Sequence, residues 1–248
     1  MASQTELALV IPTLGEVECL PALLQEVRGV LAGLPVSFEI LVVDDDSRDG
    51  TEQLVASMAA DDARVRLLVR HGQRGLAGAI LHGWQHTDAS LLGVMDADLQ
   101  HPPELLRDLL AAMHSGCDLA IGSRYAGRAG MQGGHPLRRW ISAVSIWMAR
   151  PLQNAAIRVK DPISGFFIVR RHCVENIVFS TAGFKLLLEI LMRGRIRSVR
   201  EIPFVFGRRR AGRSKAGLKV ALQYLQLLGY LYRSRARDLR APPRIAAD

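Results

Sequence analysis

Short apolar, β-rich runs recur along the first half of the chain at Leu7–Ile11, Phe38–Val43, Val65–Val69, Leu91–Met95 and Leu119–Ile121. Between them the spacing of apolar positions predicts helices over Val17–Leu31, Thr51–Ala60, Leu76–Gln85 and Pro103–His114. The last of these has prolines at its start and Ser115-Gly116 at its end, as helix boundaries prefer. Strands alternating with helices at this spacing predict βαβ units and an α/β fold with a mainly parallel sheet. In such a sheet the loops at the C-terminal ends of the strands form the site. After about Arg124 the alternation weakens. Gly127, Gly130, Gly133 and Gly134 mark a loop there, and the remainder reads as an appended layer of helices rather than a second domain.

Composition narrows the class. The chain has 248 residues, 49% of them hydrophobic, enough for one large α/β domain and incompatible with disorder. Cys19, Cys117 and Cys173 are too few and too far apart for a disulfide framework and read as reduced thiols. No CxxC or paired Cys/His spacing offers a zinc site. The N-terminus runs straight into an apolar strand with no basic region before it, so no signal peptide is expected. The apolar stretch Val220–Tyr232 is interrupted by Gln223, Gln226 and Gly229 and is too short to span a bilayer. The formal net charge of +8 is unevenly spread: residues 193–248 hold 15 Lys and Arg against three acidic residues, whereas residues 1–192 hold 17 against 21. The basic end suits an anionic partner, whether nucleic acid, membrane surface or phosphorylated substrate.

Carboxylates mass where two of the strands end. The second strand runs into Asp44-Asp45-Asp46-Ser47-Arg48-Asp49, and the fourth into Asp96-Ala97-Asp98-Leu99-Gln100. Such clusters repel unless neutralised. A divalent ion does this, and Asp96 and Asp98 offer it two hard oxygen ligands, with Gln100 as a third. Ser47 and Asp49 read instead as loop and helix-cap residues.

PTLGE (12–16), VVDDDSRDGT, RGLAGAILHG, MDADLQHPPE, GSRY, DPISGFF, FKLLLEIL and FGRRRAGRSK occur in this order. The set resembles family 2 glycosyltransferases of the GT-A fold, in particular the polyprenyl-phosphate (dolichyl-phosphate) mannose synthase group, over about residues 7–220. The resemblance implies a GT-A domain over 1–215, with an acceptor loop within 126–142, and an amphipathic helix with a basic tail over 216–248. It implies an inverting transferase dependent on Mg²⁺ or Mn²⁺ that moves a sugar from a nucleotide-diphosphate donor to a polyprenyl or dolichyl phosphate. On that basis Pro12, Leu14, Glu16, Val42 and Asp44 line the nucleoside pocket. Asp96, Ala97 and Asp98 hold the diphosphate and sugar, with Asp96, Asp98 and Gln100 at the metal. Arg124 faces the reacting phosphates, Arg138 and Ser142 grip the lipid phosphate, and Lys185, Arg209 and Lys215 close over the donor. Catalysis rests on Asp98, Arg124, Arg138 and Ser142. Mannose from GDP-mannose is the implied donor. The group's usual aromatic is Leu14 here, which leaves UDP-glucose open as the alternative, and His135 stands where the group often has Trp.

A lipid-phosphate acceptor places the enzyme at a membrane surface, peripheral on the cytoplasmic face. Trp140, Val144 and Trp147 share one helical face beside Arg138, Arg139 and Arg150, and Leu218–Tyr232 is flanked by Lys215, Lys219, Arg233, Arg235 and Arg237. Aromatics beside clustered cations are the interfacial pattern. Packing of both helices on the core is the competing expectation. A separate membrane partner subunit stays open. A basic nucleic-acid- or membrane-binding protein without catalysis is the reading from another class. The chain has no helix-turn-helix, zinc finger or RNP-like motif, so no nucleic-acid partner is expected.

Overall fold

The computed structural model describes residues 5–127, 144–153, 157–179, 185–205, 207 and 225–234. The elements in chain order are β1 (Leu7–Thr13), α1 (Leu20–Ala32), β2 (Phe38–Asp44), α2 (Thr51–Asp61), β3 (Val65–Val69), α3 (Leu76–Gln85), β4 (Leu91–Val94), α4 (Leu105–His114) and β5 (Leu119–Ser123). There follow a helical stretch α5 (144–149), β6 (Phe167–Arg170), α6 (Leu186–Arg193), β7 (Val199–Pro203) and a helical stretch α7 (225–234). The predicted strands and helices of the first half all form, most within two residues of their expected ends. Helix α1 starts three residues later than expected because Pro21 has no N–H and fits only within a first turn.

The strands form one seven-stranded sheet in the order β3-β2-β1-β4-β6-β5-β7. All pairings are parallel except those of β6, which runs antiparallel to both β4 and β5. Alternate residues of each central strand enter opposite cores. Leu7, Leu9, Ile11, Ile40 and Val42 pack with α1 and α4, whereas Ala8, Val10, Leu41 and Val43 pack with α3 and α6. Burial on both faces explains the nearly unbroken apolar runs.

The second half corrects one expectation. It is not only a layer of helices, because β6 and β7 insert into the sheet. β6 is three buried residues and the half-buried Arg170, without alternation, and β7 is an edge strand whose Val199-Arg-Glu-Ile-Pro203 reads as charged surface. Their pairing partners, 46 or more residues away in sequence for β6 against β5, leave no local signature.

Two consequences follow from the direction of β6. The segment leading into it, 161–165, arrives at the C-terminal edge of the parallel strands. The segment leaving it arrives at the opposite edge.

Candidate active site

β1 lies between β2 and β4, and the chain reverses its winding direction there, so the crevice beyond the ends of β1 and β4 is the switch point of the sheet. Thr13 is paired with Asp44 at this edge. The turns after β1 and β2 are tied together. Asp44 accepts the Ser47 amide (2.8 Å) and hydroxyl, and Ser47 Oγ in turn accepts the Gly15 amide (2.8 Å). Asp49 accepts the Thr51 amide and hydroxyl at the start of α2, together with the Val17 amide. Burial opposes its charge, but these donors prevail and hold its carboxyl below the usual range. Ser47 is thus a loop residue as expected, whereas Asp49 lies one residue before Gly50, the N-cap of α2, and holds Thr51 from there.

Asp45 has a different task. It is buried, receives Arg70 Nη1 at 2.6 Å and the Gly75 amide at 2.7 Å, and so pins the loop between β3 and α3 beneath the β2 turn. Burial pushes its carboxyl up despite these donors. Gly78 is needed here, because a Cβ would lie 2.7 Å from Arg70 Nη2.

Of the expected nucleoside-pocket residues, Pro12 is buried at the end of β1, Leu14 is half-buried and Glu16 is buried, its carbonyl accepting the Cys19 and Leu20 amides. The Val42 side chain belongs wholly to the core beneath α1. Thr13 was not singled out in the sequence. Its buried Oγ1 has no hydrogen-bond partner among the described residues, leaving a donor and acceptor at the pocket edge.

Beyond β4, Ala97 turns into the core while Asp96 and Asp98 flank it. Asp98 Oδ1 accepts the Gln100 amide at 3.1 Å. Leu99 between them takes φ +58°, which costs a non-glycine residue about 1–2 kcal/mol. Gln100 is held twice by Gly207: its Nε2 donates to the Gly207 carbonyl and its own carbonyl accepts the Gly207 amide, both at 3.0 Å. With Nε2 engaged, Oε1 is the side-chain atom Gln100 can offer a cation.

Four groups from later in the chain converge on Asp96. His101 is buried, its Nδ1 3.9 Å from Asp96 Oδ2, between the rings of Phe166 and Phe204. Burial lowers its pKa, favouring the neutral imidazole. Gly165 lies against Asp96 so closely that a Cβ would sit 2.5 Å from Oδ2. Arg124 donates Nε and Nη2 to the two oxygens of Asp161, each at 2.8 Å, and its amide donates to Asp161 as well. Burial opposes the Arg124 charge, but these bonds outweigh it and raise its pKa. Lys185 donates Nζ to the Ile163 carbonyl at 3.2 Å. Burial, with the Arg124 charge beside it, pulls its ammonium down to about 8.

Asp96 thus sits among Arg124, Lys185 and His101 with Asp98 as a second anion. Burial foremost, then Asp98, pushes its carboxyl above the usual range, and the cations pull against this. The donor set fits a hard divalent ion: two carboxylates and an amide oxygen on one turn, backed by cations whose charge suits an anionic ligand. Asp161, Gly165 and His101 were missed as site residues although their motifs, DPISGFF and MDADLQHPPE, were legible; only β6 brings the first motif to this edge. Arg138, Ser142, Arg209 and Lys215 lie outside the described residues, as does most of the expected loop within 126–142.

Replacing Gly165 with alanine is expected to displace the Asp96 carboxylate. Activity should fall by roughly 10–100-fold, since a misplacement of about 1 Å costs on that order. The thermal midpoint should move little, because only the tip of one side chain must shift. Full activity in Gly165→Ala would mean that Asp96 works from another position.

A switch-point crevice carrying paired carboxylates and part-buried cations on a sheet with one antiparallel strand fits the GT-A glycosyltransferase fold. The chain belongs to glycosyl transferase family 2, which matches residues 8–178. It is 37% identical over 228 residues to the dolichol-phosphate mannosyltransferase of Pyrococcus furiosus, covering 92% of this chain and 63% of that protein. The chain therefore spans rather less than two thirds of that relative's length. Two solved structures show the same fold at 17% identity. Mannosyl-3-phosphoglycerate synthase from Rubrobacter xylanophilus superposes with a TM-score of 0.73 over 96% of this chain and 77% of that one. The mannosyltransferase PcManGT from Pyrobaculum calidifontis, in complex with GDP-Man and Mn²⁺, superposes with 0.62 over 98% and 67%.

Proposed function

We propose that this protein transfers mannose from GDP-mannose to a polyprenyl phosphate such as dolichyl phosphate, inverting the anomeric carbon. The convergence of Asp96, Asp98, Arg124 and Lys185 at one edge of the sheet carries this reading, supported by the likeness to the Pyrococcus furiosus mannosyltransferase. In the reaction a phosphate oxygen of the acceptor bonds to the anomeric carbon as the bond from that carbon to the nucleotide diphosphate breaks, its electron pair leaving with the diphosphate. Asp96, Asp98 and Gln100 would hold Mg²⁺ or Mn²⁺, which neutralises charge on the leaving diphosphate. Lys185, ammonium below about pH 8, adds a cation at the same place, and Arg124, braced by Asp161, adds another. The acceptor phosphate is already anionic, so no side chain has to remove a proton from it, and Asp98 acts as a ligand rather than a base.

Helices α5 and α7 fit a surface-bound enzyme. α5 and α7 bury Ile146, Ala149, Leu227, Leu228 and Leu231 against Leu188 of α6, so core packing holds for one side of each. On their other side Trp147 is 70% exposed, with Leu225, Tyr230 and Tyr232 also open to solvent. Aromatics of this kind suit the interfacial zone of a bilayer. Among the described residues no helix is long and apolar enough to cross a membrane.

The test offers labelled GDP-mannose or UDP-glucose with a polyprenyl phosphate in lipid vesicles, with Mn²⁺ or Mg²⁺ and with a chelator. Label from GDP-mannose is expected in the organic-extractable product, and chelation should abolish it. Preferential transfer from UDP-glucose would overturn the donor, and absence of both transfer and nucleotide binding would overturn the whole reading.

A further inference from the structure

The edge of the sheet opposite the crevice holds a second cluster of ligand-bearing side chains. Asp118 directly precedes β5, and His172 and Cys173 follow β6. Because β6 runs against its neighbours, its end meets the beginning of β5. One carboxylate oxygen of Asp118, one ring nitrogen of His172 and Cys173 Sγ all lie within 4.8 Å of one another. We propose that Asp118, His172 and Cys173 form a structural zinc site, distinct from the metal site of the transferase centre.

The surroundings orient the ligands. Asp118 Oδ2 accepts the Arg197 amide (2.8 Å) and the Ser198 amide (3.1 Å), which fixes the carboxylate and leaves Oδ1 for a metal. The Cys173 carbonyl accepts the Arg195 amide at 2.9 Å. The strand entering β7 is thereby bound to both ligands, and an ion here would join β6, β5 and β7. Cys173 is 2% exposed whereas His172 is open to solvent, so the ion has a protein-enclosed sulfur on one side and room for a water as fourth ligand on the other.

The ligand set and the local charge select the metal. Arg170 and Arg197 lie near the thiol. Arg170 is turned away onto the Cys117 and Met113 carbonyls, at 3.0 and 2.6 Å. These cations disfavour an ion held by charge alone, such as Mg²⁺. Thiolate and imidazole favour zinc, or cobalt as its spectroscopic stand-in. The ligand atoms, already within 4.8 Å of one another, must close to the ligand spacing of a tetrahedral zinc, about 3–4 Å, and the exposed His172 ring can turn to take up part of that change. Without metal, burial pushes the Cys173 thiol up to about 11, leaving it protonated at neutral pH. The proton passes to water as the metal–sulfur bond forms.

Full-length protein, stripped of metal and returned to excess Mg²⁺ to occupy oxygen sites, is titrated with Co²⁺ and then Zn²⁺. A saturable thiolate-to-cobalt charge-transfer band is expected, displaced by zinc, together with a zinc-dependent rise in Tm. Cys173→Ser should abolish the band, and His172→Ala, at an exposed position that leaves folding intact, should weaken metal binding by at least roughly 100-fold, more than loss of an outer hydrogen bond costs. Sugar transfer in Mg²⁺ should be unchanged in His172→Ala. Absence of the band in the unmodified protein, or its persistence in Cys173→Ser through Cys19 or Cys117, would overturn the site.

Discussion

Arg124→Met is expected to lower stability by about 3–5 kcal/mol, the cost of leaving one member of a buried ion pair without its partner. Asp161 is fully buried, and the guanidinium covers both of its oxygens. Once the guanidinium is gone, Asp161 retains only the Arg124 backbone amide among the donors described above. At roughly 2–4 °C per kcal/mol for a chain of this size, the thermal midpoint should fall by roughly 6–20 °C. Transfer should fall as well, since the cation beside Asp96 is lost. Adding Asp161→Leu to this variant should recover much of the stability, because no lone charge then remains buried, but none of the activity. A midpoint within two or three degrees of the parent (about 1 kcal/mol on the same scale) would show the pair to be far better solvated than its burial implies.

Asp98→Asn should lower transfer by about 10²–10³-fold, the scale on which removing one stabiliser of transition-state charge acts. The fold should survive, since the asparagine carbonyl can still accept the Gln100 amide that holds the turn. Thermal unfolding without metal should therefore match the parent, while the Mn²⁺ concentration needed for half-maximal transfer rises. Transfer within tenfold of the parent at unchanged metal requirement would exclude Asp98 as a metal ligand. A base-like pH profile abolished by the same substitution, with metal affinity intact, would make it a proton acceptor instead.

Much of the site was legible because its motifs sit directly after strongly apolar strands. Asp44 ends β2 and Asp96 and Asp98 follow β4, and any parallel sheet places them at one edge. The same logic could not distinguish roles within the clusters. Asp44, Asp45 and Asp49 look alike in sequence, yet one braces the β1 turn, one is buried against Arg70 and one holds Thr51 at the start of α2. Val42 is similar: Asp44, two residues on and on the same face of β2, reaches the candidate site, but Val42 lies deeper in the strand, where its side chain is buried in the core. Lys185 was placed at the donor by resemblance, and the structure sets it beside Arg124, Asp96 and Asp161.

By itself the sequence determined the α/β class, the parallel arrangement of the first strands, the family and the two aspartates after β4, because apolar period and motif are local properties that survive any change of context. The tertiary structure alone decided what β6 does. An antiparallel strand of four residues leaves no periodic trace, yet its direction carries Asp161 and Gly165 to the crevice and His172 and Cys173 to the far edge. Those placements depend on pairing between segments distant along the chain, and such pairing is settled only when the sheet closes around its core.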